Sequence, residues 1–184
     1  EPWAWVPSQF AGKQRWDDVE GTFRTIYAAS SRFGCYVEVL AHFRPDPHLA
    51  DTMAGIVVDA TDGRDFPTSP AGEIDLTWVD QRAVTSAALS GVYCDVTAAT
   101  TIAALRPRFL GLARELELPD FDASALKLAQ PRALTQHVAS HIYRLPTGID
   151  DDFFAGVRFA SRHGDELAMW AIFAGRKDPR TFAF

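Results

Sequence analysis

Apolar positions along the chain fall into short blocks with two different periods. Residues 22–29, TFRTIYAA, are mostly β-branched or aromatic and read as a strand. Ser30 or Ser31 then caps a predicted helix over 31–43, where Phe33, Val37, Leu40 and Ala41 recur at helical spacing until Pro45 and Pro47 end it. Residues 49–58 read as a short helix running into a strand near 56–58, and the Gly-, Pro-, Asp- and Ser-rich stretch 61–72 as a loop. From about 76 to 96 the pattern predicts two or three strands, with a turn near Ser90-Gly91.

Thr97 stands where it can cap a helix through Leu105 that Pro107 stops, and a further helical stretch covers about 108–117. Ser124 or Pro131 opens the longest predicted helix, which runs to about Arg144 with Leu134, Val138 and Ile142 along one side and Pro146 beyond it. Two strands finish the pattern, GVRFAS at 156–161 and ELAMWAIF at 166–173, with 162–165 as the turn. Strands at both ends and helices between them predict an α+β class, a mixed sheet with flanking helices. No repeat and no linker breaks the run, so a single domain over 1–184 is expected. Within it, 1–21 is an irregular arm whose Trp3, Trp5, Phe10 and Trp16 supply apolar surface for docking.

Composition narrows the class. The chain has 184 residues, 47% hydrophobic and 23% charged, which suits one globular core without metal or disulfide staples. A net charge of −6 argues against a general nucleic-acid or anionic-membrane binder, while leaving room for small phosphorylated ligands that need only two or three placed arginines. Two cysteines, Cys35 and Cys94, are too few for a disulfide framework and read as buried thiols of a reducing, cytoplasmic compartment. No apolar run approaches the roughly 20 residues that span a bilayer, and the start, EPWAW at Glu1, lacks a signal-peptide pattern and suggests a trimmed terminus.

Chemistry-bearing residues concentrate around the first strand and helix. Arg15, Tyr27 and Glu38 lie twelve and then eleven residues apart, so a strand at 22–29 packed on a helix at 31–43 can bring all three to one edge. Glu38 adjoins Val37 on the apolar stripe, and a carboxylate there needs a partner or a purpose. The same pattern also fits a solvated Glu38, a surface Arg15 and a core Tyr27; spacing alone leaves both readings open.

Other groupings are weaker. His137 and His141 have the i, i+4 spacing of a two-histidine metal face, but no third ligand stands near, so no metal is expected. Asp150, Asp151 and Asp152 read as a solvated loop. Ser161, Arg162, His163 and Asp165 are neighbours in one turn and cannot point at one another in series as a hydrolase triad does. No dinucleotide-binding glycine motif, phosphate-binding loop or nucleophile elbow is present.

The segments GKQRWDD, FRTIYAAS, CYVEVLAHFRPDP and VRFASRHGDELAMWAIF, in that order, resemble the successive blocks of the RES-domain family, many of whose members are toxins of bacterial RES–Xre toxin–antitoxin pairs. On that resemblance Arg15 matches the family arginine, Tyr27 the aromatic before the helix, Glu38 the glutamate and Ser161 the serine, with Arg24 and Arg44 as secondary candidates. It implies a fold similar to ADP-ribosyltransferase toxins and NAD as consumed substrate, with phosphate, water or a protein side chain as acceptor. It further implies an Xre-type antitoxin as partner and leaves a homodimer open. Two departures stand out. The family's further arginine ahead of the Arg15 block has no counterpart, since Lys13 is the sole basic residue before it, and Gly12-Lys13-Gln14 replaces a glycine-richer approach.

Overall fold

The computed structural model describes residues 12–55, 72–149 and 153–174. Their contacts divide the chain into two compact units: one from Glu1–Gly34 and Ala87–Phe184, the other from Cys35–Ser86. Each unit is described in turn. Predicted features within 1–11, 56–71 and 150–152, including Trp3, Trp5, Phe10, the 56–58 strand, most of the 61–72 loop and the aspartate run, lie outside the described residues.

The first unit is built on a four-stranded sheet. β1 (Arg24–Ala29), β2 (Tyr93–Asp95), β3 (Gly156–Ser161) and β4 (Gly164–Ala174) stand in the order β1-β4-β3-β2. β1 and β3 flank β4 antiparallel, whereas β2 runs parallel to β3. Parallel neighbours need a long crossover, and the residues between β2 and β3 supply it as three helices: α4 (Ala99–Glu115), α5 (Ala123–Lys127) and α6 (Arg132–Tyr143). Helix α6 packs on β3 and on α4.

Period-two alternation decides which side of the sheet they cover. Leu167, Met169, Ala171 and Phe173 of β4 are all buried, and the register sets Thr25, Tyr27 and Ala29 of β1 opposite the last three. The helices answer with Leu105, Phe109 and Ala113 from α4 and Leu134, Val138 and Ile142 from α6, each set at four-residue intervals. The anticipated α6 stripe is thus present, but α4 is the longer helix at 17 residues. It runs through Pro107, which was expected to stop it. Pro107 and Ala103, whose carbonyl it deprives of a hydrogen bond, both lie on the exposed side, where that carbonyl is open to solvent. The helix begins behind Ala98; Thr97 instead donates its hydroxyl and backbone N–H to Asp95.

Several turns follow the expected chemistry. Ser31 caps α1 (Arg32–Leu40) by accepting from Gly34 N–H at 3.1 Å. Gly91, at φ +98°, makes the turn before β2; a Cβ there would sit 2.9 Å from that of Ala155. The β3–β4 hairpin turns at Arg162 and His163, with an irregular register at Ala160/Ser161.

The second unit contains the end of α1, a 3-10 turn (Ala41–Phe43), α2 (Pro47–Ala54) and α3 (Leu76–Asp80). Pro47, expected to help end the first helix, instead opens the next, with Asp46 accepting from His48 N–H. The strand predicted from residue 76 is helical because Asp75 caps it, accepting from Thr77 N–H at 2.7 Å. Within this unit Phe43 meets Trp78 edge-on at 4.9 Å, and the Arg82 guanidinium lies 3.4 Å over the Trp78 ring.

Candidate functional site

The segment around Arg15 has little regular structure, yet it is fastened on two sides. Toward β1, the Trp16 N–H donates to the Tyr27 hydroxyl at 3.0 Å, and the Thr25 hydroxyl donates to the Trp16 carbonyl at 3.1 Å. Toward α6, Gln136 donates from one amide nitrogen to the Gly12 and Gln14 carbonyls, and Arg132 donates to the Lys13 carbonyl. Asp18, only 3% exposed, closes the clasp by accepting from the Ser140 hydroxyl and from Thr22 N–H. Trp16 is fully buried, its ring 5.4 Å from that of Phe159, so this part of the aromatic arm docks as expected.

Arg15 is carried by this framework. Its guanidinium donates to the Leu126 carbonyl at the end of α5 and lies 5.3 Å from the Phe159 ring centre. Tyr27 meets the same Phe159 ring edge-on at 6.5 Å. The sequence pair Arg15 and Tyr27 is therefore assembled around a residue that sequence reasoning did not single out. Tyr27 keeps 37% of its surface exposed, but its hydroxyl also donates to Asp17 at 3.1 Å. Burial, and then the Asp17 carboxylate, push that hydroxyl well above the ordinary phenol value, so it stays protonated near neutral pH.

A cavity of about 260 Å³ opens where the parallel strands β2 and β3 end. Trp16, Val96, Leu126 and Phe159 form its apolar wall. Arg15, Lys127 and Asp165 contribute its charges, and Lys127 is ion-paired with Asp165. Carboxyl ends of parallel strands are a recurrent position for ligands in α/β sheets. The volume falls just below the roughly 300–1,000 Å³ of drug-sized sites, so it suits one moiety of a dinucleotide. Among the described residues that line it, two are cations and one is a carboxylate, on a chain of net charge −6.

The remaining predicted residues are not among those that line the cavity. Ser161 is fully buried at the end of β3 and accepts from His163 N–H at 2.9 Å, bracing the hairpin turn; it does not line the cavity, though its neighbour Ala160 does. Arg24 pairs with Ala174 at the start of β1, three residues from Tyr27 and hence on the opposite face. Glu38 and Arg44 belong to the second unit, Glu38 half-buried on α1 and Arg44 exposed after the 3-10 turn.

Among the described residues no group of three or more His, Cys, Asp or Glu is placed to hold a metal ion. His141 sets its ring 5.6 Å from Phe109, and burial, with Arg108 and Arg144 nearby, lowers its pKa. Burial, with the Asp95 carboxylate next, pushes the Cys94 thiol up to about 11, which removes it as a nucleophile near neutral pH. No helix among the described residues is long and apolar enough to cross a membrane.

Lys127 escaped sequence reasoning, and Asp165 was weighed only with its neighbours in the turn, because the two lie 38 residues apart and follow no motif. Phe159 was legible only as one apolar position in an alternating strand. Compared with family models, curated proteins and solved structures, the chain matches none.

Proposed function

We propose that this chain consumes NAD by cleaving its nicotinamide–ribose bond, with phosphate or water as acceptor. The reading rests on the ordered RES-like blocks and on one observation: Arg15, which that resemblance selects as the phosphate grip, lines a cavity beside aromatic rings. A guanidinium binds phosphoryl oxygens through paired N–H donors that a lysine cannot match. The low-dielectric wall strengthens that attraction.

In this reaction the bond from ribose C1′ to the nicotinamide nitrogen breaks, and its electron pair leaves with neutral nicotinamide. An oxygen of phosphate or water attacks C1′, water losing its proton to solvent, and nothing is oxidised or reduced. The transition state resembles that of glycoside hydrolysis, with positive charge on the sugar. Glu38 is the carboxylate assigned to that charge, an assignment carried by the resemblance alone. Tyr27 does not line the cavity; its ring meets the lining Phe159 edge-on, and its hydroxyl is committed to Trp16 and Asp17 and stays protonated. Ser161 serves by holding the turn that precedes Asp165.

The test is incubation with NAD, with and without phosphate, followed by measurement of nicotinamide and identification of the sugar product by mass spectrometry. Glu38→Gln is expected to lower release by about 100-fold or more while leaving ADP binding unchanged. Absence of nicotinamide release in both buffers rejects the reading. Binding without turnover makes the chain a nucleotide-binding relative. A stable protein band from labelled NAD in a cell extract makes it an ADP-ribosyltransferase. The toxin role, with an Xre-type antitoxin as partner, predicts growth arrest when the chain is expressed by itself.

A further inference from the structure

The Lys127–Asp165 pair at the cavity has a geometry that the proposed reaction does not use. Lys127 ends α5 and Asp165 follows the β3–β4 turn; both line the cavity, with their side chains 36% and 79% exposed. Arg15 reaches the same cavity from a third segment and donates to the Leu126 carbonyl, one residue before Lys127. Two cations from separate segments thus face one small space, and among the described lining residues the Asp165 carboxylate is paired with Lys127.

We infer that Lys127 is a second phosphoryl-binding cation of this cavity, and that Asp165 is an internal stand-in for the ligand, released when a phosphate or pyrophosphate enters. An exposed ion pair biases its side chains by no more than about fivefold. A phosphoryl group carrying two charges beside an apolar wall outweighs that bias, since the same charges interact more strongly in a partly water-excluded space. The exchange needs little motion, because Lys127 already lines the space it serves and the more exposed Asp165 can swing into water. The shared chemistry is phosphoryl oxygen carrying about two negative charges in all, whether on the pyrophosphate of a nucleotide or on free inorganic phosphate. The inference deepens the reading of the Arg15 cavity as a phosphate site, and rests on it.

The experiment is calorimetric titration of the full chain with pyrophosphate, ADP and inorganic phosphate, using wild type, Lys127→Met, Asp165→Asn and the double variant, with thermal melting to confirm folding. Lys127→Met is expected to weaken pyrophosphate binding about tenfold, and Asp165→Asn to tighten it about fivefold. In the Lys127→Met background the gain from Asp165→Asn should vanish, because the carboxylate acts by occupying that ammonium. ADP and inorganic phosphate identify the source of the phosphoryl group by their relative affinities.

The inference is overturned if wild type binds none of the three anions. It is also overturned if Asp165→Asn weakens binding, or if it tightens binding equally without Lys127. Nicotinamide release is read separately. Anion binding with the expected variant pattern but no release rejects only the enzymatic reading, while release with an unchanged Asp165→Asn titration rejects only this one.

Discussion

Asp18 holds the Arg15 segment in place. Burial alone raises a carboxylate's pKa, but here the Ser140 hydroxyl and the Thr22 donors outweigh it and leave the value below 3.8. Asp95 behaves alike: burial raises its pKa, and Thr97 and Arg158 together bring it below 3.8. A carboxylate depressed by folding stabilises the native state above its unfolded value. That contribution is lost as pH falls through the lower folded value. Unfolding midpoints in denaturant are therefore expected to hold from neutral pH to about 5 and to drop steeply below about 4. Asp18→Ala strands the Ser140 and Thr22 donors, and should cost about 2–4 kcal/mol by denaturant melts at pH 7 while flattening that acid limb. Arg15 and Tyr27 were legible as candidates because their side chains advertise a chemistry. Asp18 was not, since its partner Ser140 lies 122 residues away and no local pattern joins them.

Among the elements, α4 shows a strong tertiary override of a local rule. Leu105, Phe109 and Ala113 are buried at four-residue intervals, so breaking the helix at Pro107 would separate one continuous packed stripe. Burial of such side chains outweighs the roughly 3 kcal/mol cost of an interior proline. Pro107→Ala is accordingly expected to raise stability by about 1–3 kcal/mol without altering the fold, and Phe109→Ala to lower it by about 3–5 kcal/mol. Thermal melts of the two variants, with circular dichroism for helix content, check both. In the sheet, a Cβ at Gly156 would lie 2.2 Å from the Ala171 carbonyl oxygen, so Gly156→Ala must force β3 away from β4. A loss of at least about 1–3 kcal/mol is expected in the same melts. The hairpin and the α6 stripe were readable from period and punctuation, whereas the α3 helix at 76–80 was misread. Its apolar residues suit a strand, and only the Asp75 cap marks a helix start.

Among residues whose burial is described, the fully buried apolar core lies in the first unit, and none of those in the second unit is buried. Local opening free energy follows such burial. Amides of β3, β4 and α6 should therefore exchange hydrogen slowest, and those of 41–54 and 76–80 faster by several orders of magnitude, as measured by native-state exchange mass spectrometry. Uniform protection in both units would contradict this account. The sequence by itself determined the α+β class, the closing strands, the α6 stripe, the docking of Trp16 and the candidacy of Arg15 and Tyr27, because each follows from local period, capping or side-chain chemistry. Tertiary structure decided that 35–86 forms a separate unit, that β2 lies parallel beside β3, and that Arg15, Lys127 and Asp165 share one cavity. Those outcomes depend on which distant surfaces meet, and burial rewards such meetings only once the chain has closed around them.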